Sequence, residues 1–174
     1  MSRAFVKEDA PDGVVYIPPR APLPAGAVNY VTSRGLDLLT KEKETFEAER
    51  ERLKKGDPHN PDRNRALTVV RGQLKDLESR IQSARVVKPS EQPSDEVRFG
   101  AKVTVITEKG RTPGLKRTFK IVGVDEADIT TMRVGYVAPL ARTLIGLAQG
   151  ETTVLMMGGI EETLRVEHIE YSDD

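Results

Sequence analysis

The feature that most limits this chain is a run of apolar residues at helical spacing. Leu67, Val70, Leu74, Leu77, Ile81 and Ala84 recur at alternating steps of three and four. That pattern lays a narrow seam along one helix, of the kind a coiled coil buries. Such a helix needs a partner face. One lies upstream, where Leu36, Leu39, Phe46 and Leu53 share a stripe. Lys43 and Arg50 interrupt that stripe, and their aliphatic stems can cover the seam. Thr32 or Ser33 is placed to cap the first helix. Between the two stripes, Gly56-Asp57-Pro58-His59-Asn60-Pro61-Asp62 has turn chemistry, and Asn60 or Asp62 can cap the second helix. Each helix would be roughly 35 Å long at 1.5 Å per residue. Similar lengths about a short turn predict an antiparallel hairpin over about residues 33–88, and the two prolines oppose one continuous rod. Gly72 weakens the second helix by about 1 kcal/mol and leaves a shallow place in it.

The flanks read differently. Residues 1–29 contain Pro11, Pro18, Pro19, Pro22 and Pro24, which predicts a flexible, partly extended arm. Within it, Val14-Val15-Tyr16-Ile17 has the composition of a short strand or docking stretch. The hairpin unit is expected over 30–88, a linker over Lys88–Asp95, and a separate C-terminal domain over 96–174. There the period changes to two. Strands are predicted at Val103–Ile106, Thr118–Val122, Arg133–Val137, Thr152–Met157 and Leu164–Tyr171. Lys109–Gly114 and Gly158-Gly159 are the turns, and Pro139–Ile145 is a short helix ended by Gly146. The expected class is α+β, with a small antiparallel sheet against one short helix.

Composition narrows the function classes. Without cysteine, disulfides and Cys-based zinc sites are excluded. No segment approaches the ~20 apolar residues of a membrane span, and no early run resembles a signal peptide, so the expectation is a cytoplasmic protein with no membrane partner. Net charge is zero, split as +4 over residues 33–88 and −4 over 89–174. That argues against nonspecific nucleic-acid binding as the main business, while leaving room for local basic contacts from the hairpin.

The C-terminal motifs also carry a resemblance. Phe99-Gly100-Ala101-Lys102-Val103-Thr104-Val105 is followed by Ile121-Val122-Gly123-Val124-Asp125-Glu126-Ala127-Asp128-Ile129. Then come Pro139-Leu140-Ala141-Arg142-Thr143-Leu144-Ile145-Gly146, Gly150, Gly158-Gly159 and Ile169-Glu170-Tyr171. In this order they resemble the Gre family of bacterial transcription elongation (transcript cleavage) factors. Tyr30-Val31-Thr32, Gly35-Leu36 and Ala84-Arg85-Val86-Val87 are similar to that family too. The resemblance implies an FKBP-like C-terminal domain at the rim of the RNA polymerase secondary channel, and a coiled coil that reaches through it. It implies nearness to nascent RNA or DNA, and a factor that is not itself an enzyme. Two acidic residues at the family's tip help hold a magnesium ion at the polymerase active site. The factor has no cofactor of its own. On this resemblance Asp125, Glu126, Asp128, Pro139 and Arg142 are expected to bind polymerase, with Lys120 in support. From the residues alone, the three acids could form a magnesium site, but a solvated turn or a docking surface is the better reading, and Arg142 reads as a salt-bridging helix residue.

The tip departs from the family pattern. Nothing in residues 50–66 matches its acidic motif, and the hairpin is shorter by about 14 residues, roughly 10 Å of reach. Asp57 and Asp62 are the acids at the turn. Converging on a divalent ion, they could assist phosphodiester hydrolysis. Otherwise Asp57 forms the turn and Asp62 caps the second helix. His59 sits at the same apex, and His168 lies on a strand without a ligand cluster. Lys54, Lys55, Arg63 and Arg65 form a basic flank for nucleic acid, acidic channel walls or solvent. The expected function is therefore a polymerase-binding elongation regulator, without the usual acidic-tip cleavage stimulation. The alternatives are a true cleavage factor using Asp57 and Asp62, an FKBP-like peptidyl-prolyl isomerase, and a structural coiled-coil adaptor. The isomerase reading suffers from having only Phe99, Phe119, Tyr136 and Tyr171 as aromatics in that half.

Overall fold

The two apolar stripes meet as helices of equal length. In the computed structural model, which describes residues 15–173, α1 is Ser33–Lys54 and α2 is Pro61–Gln82. They pack antiparallel. Near the turn, Leu53 of α1 lies with Leu67, Val70 and Leu74 of α2, and Phe46 packs against them. Toward the base, Leu39 meets Leu77 and Val31. Leu77 is fully buried and Leu39 nearly so, each burial worth roughly 1.5–3 kcal/mol. Thr32 caps α1 by accepting from Gly35 N–H at 2.9 Å. Asn60, not Asp62, caps α2: its Oδ1 accepts from the N–H groups of Asp62 and Arg63 at 2.9 and 3.2 Å. The reason is register. Pro61 takes the first helical position, where a missing N–H is harmless, so the residue before it becomes the cap.

Two short strands brace the base of the hairpin. β1 (Tyr30–Val31) pairs in parallel with β2 (Arg85–Val86). The expected linker then holds a single 3-10 turn at Pro89–Glu91, with Pro89 buried. Residues 15–29 have no helix or strand, so the stretch proposed at 14–17 is not a strand over its described part; Val14 and Pro11 lie outside the described residues. The arm's expected freedom is restricted at several side chains, described below.

The C-terminal region holds a five-stranded sheet in the order β5-β4-β3-β7-β6. The strands are β3 Ala101–Lys109, β4 Lys116–Val122, β5 Arg133–Gly135, β6 Thr152–Met157 and β7 Ile160–Tyr171. The β3–β4, β3–β7 and β6–β7 pairs are antiparallel. β5 runs parallel to β4, so the sheet is mixed and not purely antiparallel as expected. The cause is the loop after β4: it carries a 3-10 turn at Ile129–Thr131 and returns the chain in its original direction. A tight turn at Gly158-Gly159 closes β6–β7, with φ of +58° and +78° that non-glycine residues rarely adopt.

Alternation on β3 buries Ala101, Val103, Val105 and Thr107 on one face. α3 (Pro139–Leu144) covers that face with Ala141 and Leu144, both fully buried. Phe119, Ile121 and Val166 complete the core. Tyr30, Phe99 and Tyr136 join hairpin base to sheet, with ring centroids 5.7–5.8 Å apart. Such pairs contribute about 0.5–1.5 kcal/mol each beyond area burial. The α+β class is as expected. No helix among the described residues is long and apolar enough to cross a membrane.

Candidate functional site

Two places collect the chemistry-bearing residues: the hairpin tip and the junction between hairpin base and sheet. At the tip, Asp57 and Asp62 are both exposed. Asp57 Oδ1 accepts from the His59 N–H at 2.9 Å, which is an Asx turn. Asp62 stands in the first turn of α2, where a negative charge suits the helix dipole. Among the described residues no group of three or more His, Asp or Glu is arranged to hold a metal ion. Two solvent-exposed carboxylates, one already tied to a turn, are a poor cage for a hard cation that wants a full set of oxygen ligands. His59 is exposed, as is His168 opposite Thr104 on the sheet.

Arg63 has a different part from the basic flank. Its Nε donates to the Leu53 carbonyl at 2.7 Å and its Nη2 to the Lys54 carbonyl at 3.0 Å. It closes the C-terminal end of α1 from the first turn of α2, satisfying orphan acceptors. Lys54 pairs with Glu51 at 2.8 Å, while Lys55 and Arg65 face solvent. A basic residue after a Pro-Asp turn was visible in the sequence; that it reaches back across the turn was not.

The junction gathers the acids that follow β4, and separates their roles. Asp125 is nearly buried, with both oxygens taken: Oδ1 by Arg20 at 2.8 Å and Oδ2 by Arg80 at 3.0 Å. Glu126 is buried, its side chain 1% exposed. It accepts from Arg133 at 2.9 Å and from the Thr32 hydroxyl, with Arg34 at 3.8 Å. The Glu126 carboxylate therefore faces the N-terminal end of α1, where unpaired N–H groups favour negative charge. These two acids tie parts of the fold together, and the reading of a solvated turn does not hold for them because each already has arginine partners inside. Lys120 is likewise inward, donating to the Ser172 carbonyl at 2.9 Å.

Asp128 is the exposed member of the trio. Its carboxylate caps the 3-10 turn, accepting from Thr130 N–H at 2.9 Å and Thr130 Oγ1 at 2.7 Å. Those bonds hold its carboxyl below the usual carboxylate range. Pro139 and Arg142 are exposed on α3. Arg142 borders an open groove of about 460 Å³, with Tyr136, Val137 and Ile145 on one side and Pro24–Ala27 of the arm on the other. The structure thus leaves Asp128, Pro139 and Arg142 on the surface, and Asp125 and Glu126 inside. Arg20, Arg80 and Arg133 had no local signal, because each meets an acid brought near only by the fold.

Residues 92–171 match the family described as Transcription elongation factor, GreA/GreB, C-term. The Transcription elongation factor GreA of Acidiphilium cryptum is 35% identical over 99 residues, covering 57% of this chain. That of Francisella tularensis subsp. novicida is 36% identical over 104 residues, covering 59%. The chain spans 61% and 63% of the length of these two relatives. Among solved structures, the elongation factor GreA/GreB from Nitrosomonas europaea is similar at 21% identity, with a TM-score of 0.40, covering 83% of this chain and 99% of that one. The GreA factor homolog 1 (Gfh1) protein of Thermus thermophilus is similar at 17% identity and a TM-score of 0.38, with the same coverage.

Proposed function

We propose that the chain, whose residues 92–171 match the GreA/GreB transcription elongation factor C-terminal family, is an RNA polymerase-binding regulator of transcription elongation. Its sheet region, read as an FKBP-like domain over 96–174, docks at the rim of the secondary channel. The hairpin of 30–88 enters the channel as a probe. The protein works in the bacterial cytoplasm and is not an enzyme; the catalytic centre and its magnesium are the polymerase's. Contact with nascent RNA or DNA is indirect, through the complex it occupies. The exposed residues Asp128, Pro139 and Arg142 carry the docking.

The observation that carries this reading is a GreA/GreB-type C-terminal region joined to a hairpin with an unsuited tip. Asp57 is held in an Asx turn and Asp62 stands beside the Asn60 cap. A channel occupied without well-placed carboxylates gives regulation without cleavage stimulation. A second reading, a true cleavage factor using Asp57 and Asp62, is favoured by the exposure of both carboxylates at the apex. The isomerase alternative is disfavoured because Tyr136 packs on Tyr30 and Phe99 and gives its hydroxyl to the Val28 carbonyl, so the chain fills its own aromatic cluster.

Competition tests the binding claim. A labelled cleavage-stimulating Gre factor, bound to polymerase, is titrated with this chain. Displacement is expected, and Arg142→Glu should weaken it. Undiminished Gre-factor binding at saturating chain would overturn the reading.

A further inference from the structure

Gly72 lies in the interior of α2, where glycine weakens a helix by about 1 kcal/mol relative to alanine. The space it leaves is taken: a Cβ built there would meet Ile17 Cδ1 at 2.2 Å and Cγ1 at 3.0 Å. Ile17 comes from the N-terminal arm. Three residues on, Arg20 donates to Glu42 of α1 through Nη1 at 2.9 Å and to Asp125 beyond β4 through Nη2 at 2.8 Å. Arg80 of α2 reaches the same Asp125 at 3.0 Å and gives its other nitrogen to the Ala21 carbonyl at 2.6 Å. The Asn29 amide donates to the Arg80 carbonyl at 2.8 Å, and the Val28 carbonyl accepts from the Tyr136 hydroxyl. One segment thus touches α1, α2 and the sheet region in turn.

We propose that residues 17–29 form a strap that fixes the angle between hairpin and sheet before any partner is met. The seat at Gly72 sacrifices helix propensity for a fit to one side chain. The Arg20 side chain is 17% exposed and joins carboxylates from two parts of the fold. A pair so shielded is screened less by salt than a surface pair. The angle has leverage, because a helix of 22 residues is about 33 Å long and its end moves about 6 Å for each 10° of swing. A probe aimed by a docked sheet needs that freedom removed.

The test uses the full chain without polymerase, so its failure is distinct from failure of the proposed function. The sequence lacks cysteine, so His59→Cys at the tip and His168→Cys on β7 take spin labels at chosen sites. Electron–electron distance measurements should give one narrow distribution for the parent. Gly72→Leu, which fills the seat, and Arg20→Ala, which cuts the link, should each shift or broaden it by more than the parent's width. Helicity by circular dichroism should be unchanged or raised in Gly72→Leu. If that variant loses helicity, Ile17→Ala, which empties the seat and leaves α2 intact, decides the matter. Distributions in Arg20→Ala and Ile17→Ala superimposable on the parent would overturn the proposal.

Discussion

Glu126 shows what a single side chain settles. Its carboxylate is buried against Arg133, the Thr32 hydroxyl and the start of α1. Removing one partner of a buried pair typically costs about 3–5 kcal/mol, because the other charge stays desolvated. Glu126→Ala should therefore lower the unfolding free energy measured in urea by an amount in that range, whereas Asp128→Ala, at an exposed turn that it caps, should lower it by clearly less, the loss of a cap alone. Tyr136 gives a pH-dependent counterpart. Burial pushes its phenol above the ordinary value of about 10. A raised pKa means that the folded state holds the proton more tightly. The stabilisation is complete below the ordinary value and is lost as pH rises through the raised one. Burial pushes Tyr171 in the same direction, so absorbance titration should show two tyrosines ionising late in the parent, and Tyr136→Phe should remove one of them at a cost of about 0.5–1.5 kcal/mol. Neither role was legible in the sequence. Asp125-Glu126-Ala127-Asp128 reads as a solvated acidic turn, and only the fold brings Arg20, Arg80 and Arg133 to two of its three acids.

The elements were far more legible, because they rest on local spacing. The heptad-like stripe on α2 gave its buried face, and Leu67, Val70, Leu74 and Leu77 lie inside, but the helix ends at Gln82, before the last seam residue Ala84, and the chain turns to strand β2. Leu77→Ala should destabilise the protein by about 2–5 kcal/mol in denaturant unfolding. Leu38, off the seam and 41% exposed, should tolerate alanine within about 0.5 kcal/mol. The turn chemistry at 56–62 was also readable, but its capping was shared out differently. Asn60 takes the start of α2 and Arg63 closes the end of α1. Arg63→Ala should speed amide hydrogen exchange in the last turn of α1 while leaving exchange at the hairpin base unaffected. Pairing direction was the weak point. Periodicity of two identifies a strand and is silent on its neighbour, so the parallel β4–β5 and β1–β2 pairs were not foreseen.

Over the whole molecule, the sheet region carries the likeness to GreA/GreB and the hairpin tip carries the departure from it. The GreA/GreB-type region was recognisable from ordered motifs in the sequence. Of the docking residues expected there, Asp128, Pro139 and Arg142 remain on the surface, and Asp125 and Glu126 are engaged in ion pairs at the junction of hairpin and sheet. At the other end, Asp57 and Asp62 were legible as the tip acids, and the geometry gives each a local task. The central claim is that this hairpin occupies the channel without aiding hydrolysis. RNA cleavage by backtracked polymerase complexes in magnesium, with and without the chain at saturating concentration, tests it most directly. The account predicts a cleavage rate no higher than that of polymerase alone, with Asp57→Ala plus Asp62→Ala making no difference. Cleavage stimulated by the parent and abolished in that double variant would contradict it.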